Sequence, residues 1–295
     1  MPKEFRINAG IRSKSKYIKF AAFIVIILAL GSVFISFFKR YKINLKHNES
    51  GANFSEEIVF GDIKVHINND SFSHDFLREK THSDEMIAYL KKNLKKGDTI
   101  INIAHNTGIQ TLLIAKLIQQ SGRIYFYNPS KKYVDSVKSS ALANGFENRV
   151  FAYALGMSDC QFDGLLVYKN NFPDISGKIE SGDHEIPGGY SAMIIKVSSI
   201  DEQLPNLQNV NLIIIDINDD CSKIINGAIN LIKKSEKLAI IINYDGAVFA
   251  NSSVFDILSN IGFEVNVIQA DGSLKSANID EIKKLNKCFL LFKRS

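Results

Sequence analysis

The stretch INIAHNTGIQT, residues 101–111, is the most informative part of this 295-residue chain. It joins an apolar run that predicts a buried strand (TIINIA, 99–104) to an apolar run that predicts a helix (TLLIAKLI, 111–118). In an open α/β sheet, ligands bind beyond the carboxyl ends of the strands, so this junction is where a cofactor-binding turn is expected. The turn has one glycine, Gly108, and no carboxylate. The residues alone therefore leave open whether it binds a cofactor or only connects two elements.

Strand-like and helix-like segments alternate on both sides of this stretch. Helices are predicted at 83–94, 131–145, 222–234 and 253–262, and strands at 58–67 (a strand or hairpin), 123–128, 149–156, 164–169, 192–198, 209–216, 237–243, 263–268 and 287–293. The last two strands are expected to close the sheet as a hairpin. Aliphatic, β-branched strands that alternate with helices indicate an α/β fold with a mostly parallel sheet covered on both faces.

The charge of the chain is unevenly distributed. The formal net charge is +5, but residues 1–46 carry ten Lys/Arg and one acid, whereas residues 47–295 carry 26 basic and 30 acidic residues. The basic character therefore belongs to the N-terminus, and the remainder has a net charge of −4. This balance disfavours a nucleic-acid groove in the folded part, so no nucleic-acid partner is expected.

Three cysteines are widely spaced and include no CxxC pair: Cys160, Cys221 and Cys288. The spacing supports neither a zinc site nor a disulfide framework. We expect the three side chains to be small buried apolar groups.

A run of 19 residues without a charge, Phe20 to Phe38, predicts one N-terminal transmembrane helix. A cleavable signal peptide is the alternative, but its apolar region is usually shorter, and this run ends in FFKRYK (37–42). The predicted organisation is a basic tail (1–19), a membrane span (20–38), a polar tether (39–56) and a folded domain (57–295).

The lysines and arginines flanking the span set its expected orientation. Six precede the span and four follow it, which favours a cytoplasmic N-terminus by the positive-inside rule. The chain is then a single-pass membrane protein whose folded domain is periplasmic, extracellular or lumenal. The margin is small, so the opposite orientation stays open.

The order and spacing of the segments over about residues 80–270 resemble the FkbM-type methyltransferases. One matching block is LKKGDTIINIAHNTGIQTLLIAKLIQQSGRIYFYNPSKKYVDSVKSSALANGFENRVFAYALG (94–156), where the family has a strand, an Asp-x-Gly-Ala-Asn-x-Gly turn, a helix and a second strand ending in Glu-Pro. The others are GGYSAMIIKVSSIDEQLP (188–205) and NLIIIDINDDCSKIINGA (211–228), the latter similar to the family's Lys-Ile-Asp-Val-Glu-Gly-Ala-Glu segment. The resemblance implies a Rossmann-like methyltransferase fold with a mostly parallel seven-stranded sheet, and S-adenosylmethionine as cofactor.

The resemblance also assigns residues to the cofactor site, and several depart from the family pattern. The positions that it implies for cofactor binding are Asn102, Ala104, Asn106, Gly108, Asn128 and Asp216. Asn102 and Asn128 stand where the family has acids, Ala104 replaces a glycine and His105 replaces an alanine. A carboxylate binds ribose hydroxyls more strongly than an amide does, and a side chain in place of glycine restricts the approach of a ligand. These changes predict weakened cofactor binding.

Three of these side chains also have simpler interpretations. Asn102 could cap the strand end, His105 could be an exposed turn residue, and Asp216 could cap the following helix or bond to backbone amides. Asp216, Asp219 and Asp220 could together hold a divalent cation, but acids at a helix start also suit the helix dipole, and no metal is predicted.

The candidates for a catalytic base are His105 and His184. His184 lies in the loop GDHEIPGGY (182–190), which could instead be a solvated loop. Two functions follow. One, which the family resemblance implies, is O-methylation of a glycan, a lipid-linked sugar or a similar acceptor by an enzyme anchored near it. The other is a catalytically inactive methyltransferase fold that binds a protein partner or assists assembly at the membrane.

Overall fold

The computed structural model describes residues 54–60, 62–68, 84–105, 107–169, 178–180, 185–217, 219, 221–249 and 252–294. The chain divides into two compact units, Met1–Leu45 and Lys46–Ser295. The predicted membrane span, 20–38, lies outside the described residues. Among the helices that are described, none is both long enough and apolar enough to cross a bilayer.

Fourteen strands lie within the described residues. They are β1 Phe54–Phe60, β2 Ile63–Asn68, β3 Thr99–Ala104, β4 Arg123–Asn128, β5 Val150–Ala154, β6 Gly156–Met157, β7 Phe162–Lys169, β8 Lys178–Glu180, β9 Tyr190–Ser198, β10 Leu212–Asp216, β11 Ala239–Asp245, β12 Phe263–Ile268, β13 Leu274–Ser276 and β14 Lys287–Arg294.

Nine helices lie within the same residues. They are α1 Asp84–Asn93, α2 Ile109–Ile118, α3 Lys131–Ala143, α4 Ile200–Gln203, α5 Ser222–Asn226, α6 Ile229–Lys234, α7 Gly246–Phe249, α8 Val254–Asn260 and α9 Ile279–Ile282.

An eight-stranded sheet forms the centre of the domain, in the order β13-β12-β14-β11-β10-β3-β4-β5. Its five strands β5, β4, β3, β10 and β11 are parallel and have the 3-2-1-4-5 order of a doubly wound sheet. Strand β14 is antiparallel to both β11 and β12, so the hairpin expected from the last two predicted strands is confirmed. The short polar strand β13 adds the eighth strand; its sequence, LKS, carries no apolar pattern that would have predicted it.

Two smaller sheets accompany the central one. Strands β6, β9, β7 and β8 form a four-stranded sheet, so the predicted segments 164–169 and 192–198 do not belong to the main sheet. Strands β1 and β2 form an antiparallel hairpin, which begins at Phe54. The second strand of this hairpin binds α3: the His66 amide donates to Ser140 Oγ at 2.8 Å and the Lys64 amide to Asn144 Oδ1 at 2.9 Å.

The inner strands β3, β10 and β11 are buried on both faces, which explains why they are mainly aliphatic. On one face Ile100, Ala104 and Ile214 pack in a cluster with side chains of α1, α2 and α3. On the other face Ile101 and Ile213 pack with side chains of α5, α6 and α8. The expected α/β architecture with helices on both faces is therefore confirmed.

The prediction of one continuous helix over 222–234 is wrong, because this segment forms two helices. Helix α5 ends at Asn226 and α6 begins at Ile229. A Cβ added at Gly227 would lie 2.0 Å from the carbonyl oxygen of Ser158, so a neighbouring segment packs directly on this point. The start of α6 is capped from outside: Asp201 accepts hydrogen bonds from the amides of Asn230 and Leu231, each at 3.0 Å.

The cysteines are free thiols in three different environments. Cys221 is buried and Cys288 is half-buried, where burial raises the pKa of the thiol to about 11. Cys160 is exposed, so the expectation that all three are buried is wrong for this residue. It lies in an exposed bend that follows the two-residue strand β6.

Candidate functional site

Asn102 lies in the middle of the candidate site, on the face of β3 that packs against α2. It is fully buried, and its Nδ2 donates to Thr111 Oγ1 at 2.9 Å. Its Oδ1 is also buried and has no hydrogen-bond donor among the described residues. Asn102 therefore does not cap the strand end toward solvent; it ties the strand to the first turn of the next helix.

Gly108 places the start of α2 against the neighbouring helix. Its φ of 81° is left-handed, a conformation that side chains with a Cβ rarely adopt. A Cβ here would lie 2.0 Å from Val137 Cγ2, on α3. The preceding Thr107 is buried, and its hydroxyl likewise has no partner among the described residues. The glycine thus serves close packing as well as turn geometry.

His105 follows β3 and forms hydrogen bonds to the end of the neighbouring strand β10. Its backbone amide donates to the carbonyl oxygen of Asp216 at 3.2 Å, and its ring Nδ1 lies 2.5 Å from the same oxygen. A carbonyl oxygen only accepts, so Nδ1 carries a proton; in a neutral ring the lone pair would then be on Nε2. The ring is half-buried. His105 is thus a partly exposed residue in a bend, with its ring bonded to the neighbouring strand.

Asp216 ends β10 directly beside Ala104, its register partner on β3. Only 7% of the residue is exposed. Its Oδ1 accepts a hydrogen bond from Asn243 Nδ2 at 2.9 Å. The N-cap of α5 is Cys221, with no side-chain cap, so Asp216 does not cap that helix as the sequence allowed.

Asn243 is a site residue that sequence reasoning missed. It occupies the last position of the predicted strand 237–243, and it lies on β11 beside the end of β10. A polar residue at the carboxyl end of an otherwise aliphatic strand was the available signal. That signal acquires meaning only when the parallel pairing of β10 and β11 is known.

Asn128 ends β4, the strand on the other side of β3. It is fully buried, and its Oδ1 accepts from the backbone amide of Ser130 at 2.8 Å. Its carbonyl oxygen accepts from the amide of Leu155 at 3.0 Å. The side-chain oxygen is thus engaged in the turn that leads from β4 into α3.

Ala104 lies one pleat beyond Asn102 on the same face. It is buried, and it packs in the hydrophobic cluster below α2. Its methyl group therefore fills core space in the turn.

The carboxyl ends of β3, β4, β10 and β11 bring most of the predicted residues to one edge of the sheet. His105, Asp216 and Asn243 form one hydrogen-bonded group there, and Asn102 and Thr111 form a second. Asn106 and His184 lie outside the described residues. So does Asp220, which leaves the suggested grouping of three acids with Asp216 and Asp219 a prediction.

Aromatic side chains border this edge at the ends of β4 and β5. Tyr127 and Tyr153 stack with their ring centroids 5.3 Å apart. Burial raises the pKa of Tyr127 far above its usual value, and burial also raises the pKa of Tyr153. Both phenols therefore stay protonated at neutral pH; Tyr127 is buried in the core, and Tyr153 is exposed beside it.

No family model matches the chain, and no curated protein matches its sequence. Solved structures do resemble it. One is an O-methyltransferase from Bacillus cereus in complex with SAH, 13% identical, with a TM-score of 0.45 over 78% of this chain and 93% of that one.

Two further structures resemble the chain at the same level. A SAM-dependent O-methyltransferase from Thermotoga maritima is 13% identical, with a TM-score of 0.41 over 81% of this chain and 78% of that one. A TehB-like SAM-dependent methyltransferase from Corynebacterium glutamicum is 10% identical, with a TM-score of 0.42 over 75% and 94%. The strand order described above places this chain in the Rossmann-like α/β class.

Proposed function

We propose that this chain is a membrane-anchored protein with an FkbM-like methyltransferase domain that binds S-adenosylmethionine weakly or not at all, and that it acts as a binding or assembly module. The observation that carries the proposal is the state of Asn128. A ribose diol needs strong acceptors, and a carboxylate at this position would offer two charged oxygens. Asn128 has one neutral oxygen, which is buried and accepts from Ser130.

The neutral side chain of Asn102, on β3, supports the same proposal. A sulfonium cation is attracted by a nearby carboxylate, but Asn102 is neutral. Its amide nitrogen is already bonded to Thr111. Next to it, His105 Nδ1 lies 2.5 Å from the carbonyl oxygen of Asp216, at the paired ends of β3 and β10. The edge thus keeps its shape with fewer groups that attract a cationic cofactor.

Methyl transfer to a hydroxyl of a glycan, a lipid-linked sugar or a similar acceptor is the second candidate. The observation that favours it is the contact between His105 Nδ1 and the carbonyl oxygen of Asp216. With Nδ1–H bonded to the Asp216 carbonyl, Nε2 is left as an acceptor that could take a proton from a hydroxyl. S-adenosylmethionine would supply an activated methyl group, and the protein would mainly position the acceptor.

A titration of S-adenosylmethionine into the detergent-solubilised full chain distinguishes the two functions. We expect no calorimetric signal from the wild type at millimolar ligand. Restoring acids with Asn102→Asp and Asn128→Asp should recover binding, since each charged hydrogen bond contributes about 1.5–3 kcal/mol, or roughly 10- to 100-fold in affinity. Burial of the new charges will reduce that gain.

The matched control is Asn211→Asp, at the opposite end of the sheet. There Asn211 Oδ1 accepts from the Thr99 amide at 2.8 Å, a bond that an aspartate can also accept. This variant should bind no better than the wild type. Micromolar binding by the wild-type chain would refute the non-catalytic proposal and favour methyl transfer.

We also propose that residues 20–38 anchor the chain with its N-terminus in the cytoplasm. The support is the charge count on the two sides of the span. A reporter fused after Ser295 that is active only outside the cytosol should therefore be active. Replacing Lys14, Lys16 and Lys19 with Gln leaves three positive charges before the span against four after it, and should lower that activity. An inactive reporter on the wild-type chain would establish the opposite orientation.

A further inference from the structure

A groove lies between helix α6 and the loop that follows α4, away from the strand ends described above. It has a volume of about 510 Å³. Its apolar lining comes from Leu204, Pro205, Leu207 and Leu231. Leu204 and Leu207 are partly exposed and rest on the hydrophobic cluster below. The groove therefore presents a small apolar surface directly above the hydrophobic core.

Two lysines, Lys233 and Lys234, line the same groove at the end of α6. Both are exposed, and neither forms an ion pair with any residue that the structure describes. The acid in the lining is Asp201, whose two oxygens are both bonded to the backbone amides at the start of α6. The Asp201 carboxylate thus binds the start of α6 and not the two lysines. The ammonium groups of the lysines are available to a ligand.

An apolar floor beside two exposed lysines that form no ion pair among the described residues fits an amphiphile with an anionic head. The alkyl part gains by removing Leu and Pro surface from water, and the head gains from the lysines. A small soluble anion would use only the lysines and leave the floor exposed. The combination therefore favours a ligand that carries both parts on one molecule.

We propose that this lysine groove, lined by Leu204, Leu207, Leu231, Lys233 and Lys234, binds an anionic membrane phospholipid. The head would lie on the two lysines and part of an acyl chain on the leucines. The choice of an anionic amphiphile rests on the lysines and the apolar lining of the groove, and the choice of a membrane as its source rests on the anchor proposed above. The groove itself belongs to the described domain, so its ligand can be tested without any assumption about the anchor.

The test is lysine acetylation of the detergent-solubilised full chain, read by mass spectrometry. Short-chain phosphatidylglycerol, phosphatidylcholine with the same acyl chains, and glycerol phosphate are each added below the micelle concentration of the lipids. We expect phosphatidylglycerol to slow labelling of Lys233 and Lys234 about fivefold, from the attraction of a lysine to an anionic headgroup. Phosphatidylcholine and glycerol phosphate should protect little. Protection should vanish in 1 M salt, where the screening length is about 3 Å.

The internal control is a second pair of consecutive exposed lysines, Lys283 and Lys284, which lie at the end of α9 outside the groove. Their labelling should not respond to phosphatidylglycerol. In native mass spectrometry, Lys233→Gln with Lys234→Gln should lose the phosphatidylglycerol adduct, and Lys283→Gln with Lys284→Gln should keep it.

Three outcomes would overturn the proposal. One is equal labelling of the groove lysines with phosphatidylglycerol and phosphatidylcholine. Another is equal protection by glycerol phosphate, which would identify the ligand as a soluble anion. The third is protection by an acidic amphipathic peptide where phosphatidylglycerol gives none, which would identify a protein partner. None of these results depends on whether the chain binds S-adenosylmethionine.

Discussion

Gly108→Ala is expected to destabilise the folded domain by about 2–5 kcal/mol, of which ~1–2 comes from a left-handed backbone with a Cβ and ~1–3 from overpacking. The backbone there has φ 81°, and the new methyl group would lie 2.0 Å from Val137 Cγ2. Urea denaturation followed by circular dichroism measures the effect. A loss this large is a substantial part of the stability of a typical domain.

Two further variants separate the contribution of the left-handed backbone from that of overpacking. Gly145 also has a left-handed φ, 68°, but nothing lies within 4 Å of its added Cβ. Gly145→Ala should therefore cost only the backbone share, about 1–2 kcal/mol. Combining Gly108→Ala with Val137→Ala should relieve the overlap and give a coupling of about 1–3 kcal/mol in a double-mutant cycle. Additive effects would show that Val137 does not constrain the turn.

Gly227→Ala is expected to destabilise the domain by about 1–3 kcal/mol or more through overpacking. If residues 222–234 formed one continuous helix, as expected from the sequence, the same substitution would increase the stability, since alanine is favoured over glycine in a helix by about 1 kcal/mol. The φ of −71° at Gly227 is ordinary, so backbone strain does not enter. The loss arises because the added Cβ would lie 2.0 Å from the backbone oxygen of Ser158, which no side-chain rotation can move.

The control is Asn226→Ala, one residue earlier on the exposed side of α5. It should change the free energy of unfolding by less than about 0.5 kcal/mol, as surface substitutions usually do. If Gly227→Ala stabilised the domain, the close contact with Ser158 would be absent in solution and the break between α5 and α6 would need another cause.

The elements that could be predicted well are those with a strong local pattern. The strand RIYFYN was expected at 123–128 and is found at Arg123–Asn128, and the helix expected at 83–94 is Asp84–Asn93. Both have an apolar pattern that only one kind of element satisfies, with turn residues at their ends. Strand β13 lacks such a pattern, and it forms because β12 offers an edge to pair with.

The candidate site was predictable in position but not in its bonding. The carboxyl end of β3 was the expected edge, because a parallel sheet places its ligand there. Which groups remain available depends on partners far along the chain. His105 bonds to Asp216, 111 residues later, and Asp216 bonds to Asn243. A local sequence pattern carries no information about hydrogen bonds between residues so far apart in the chain.

Local sequence was enough to establish the alternation of strands and helices, and hence the α/β class. Strands that are buried on both faces are mainly apolar, and the helices that cover them are apolar on one side. Both patterns are visible in consecutive residues of the sequence. The strand order, the separate four-stranded sheet and the break at Gly227 came from the folded chain. So did the role of Asn128 as the acceptor for Ser130. These features depend on three-dimensional contacts, because packing and hydrogen bonding act between atoms that the fold brings together.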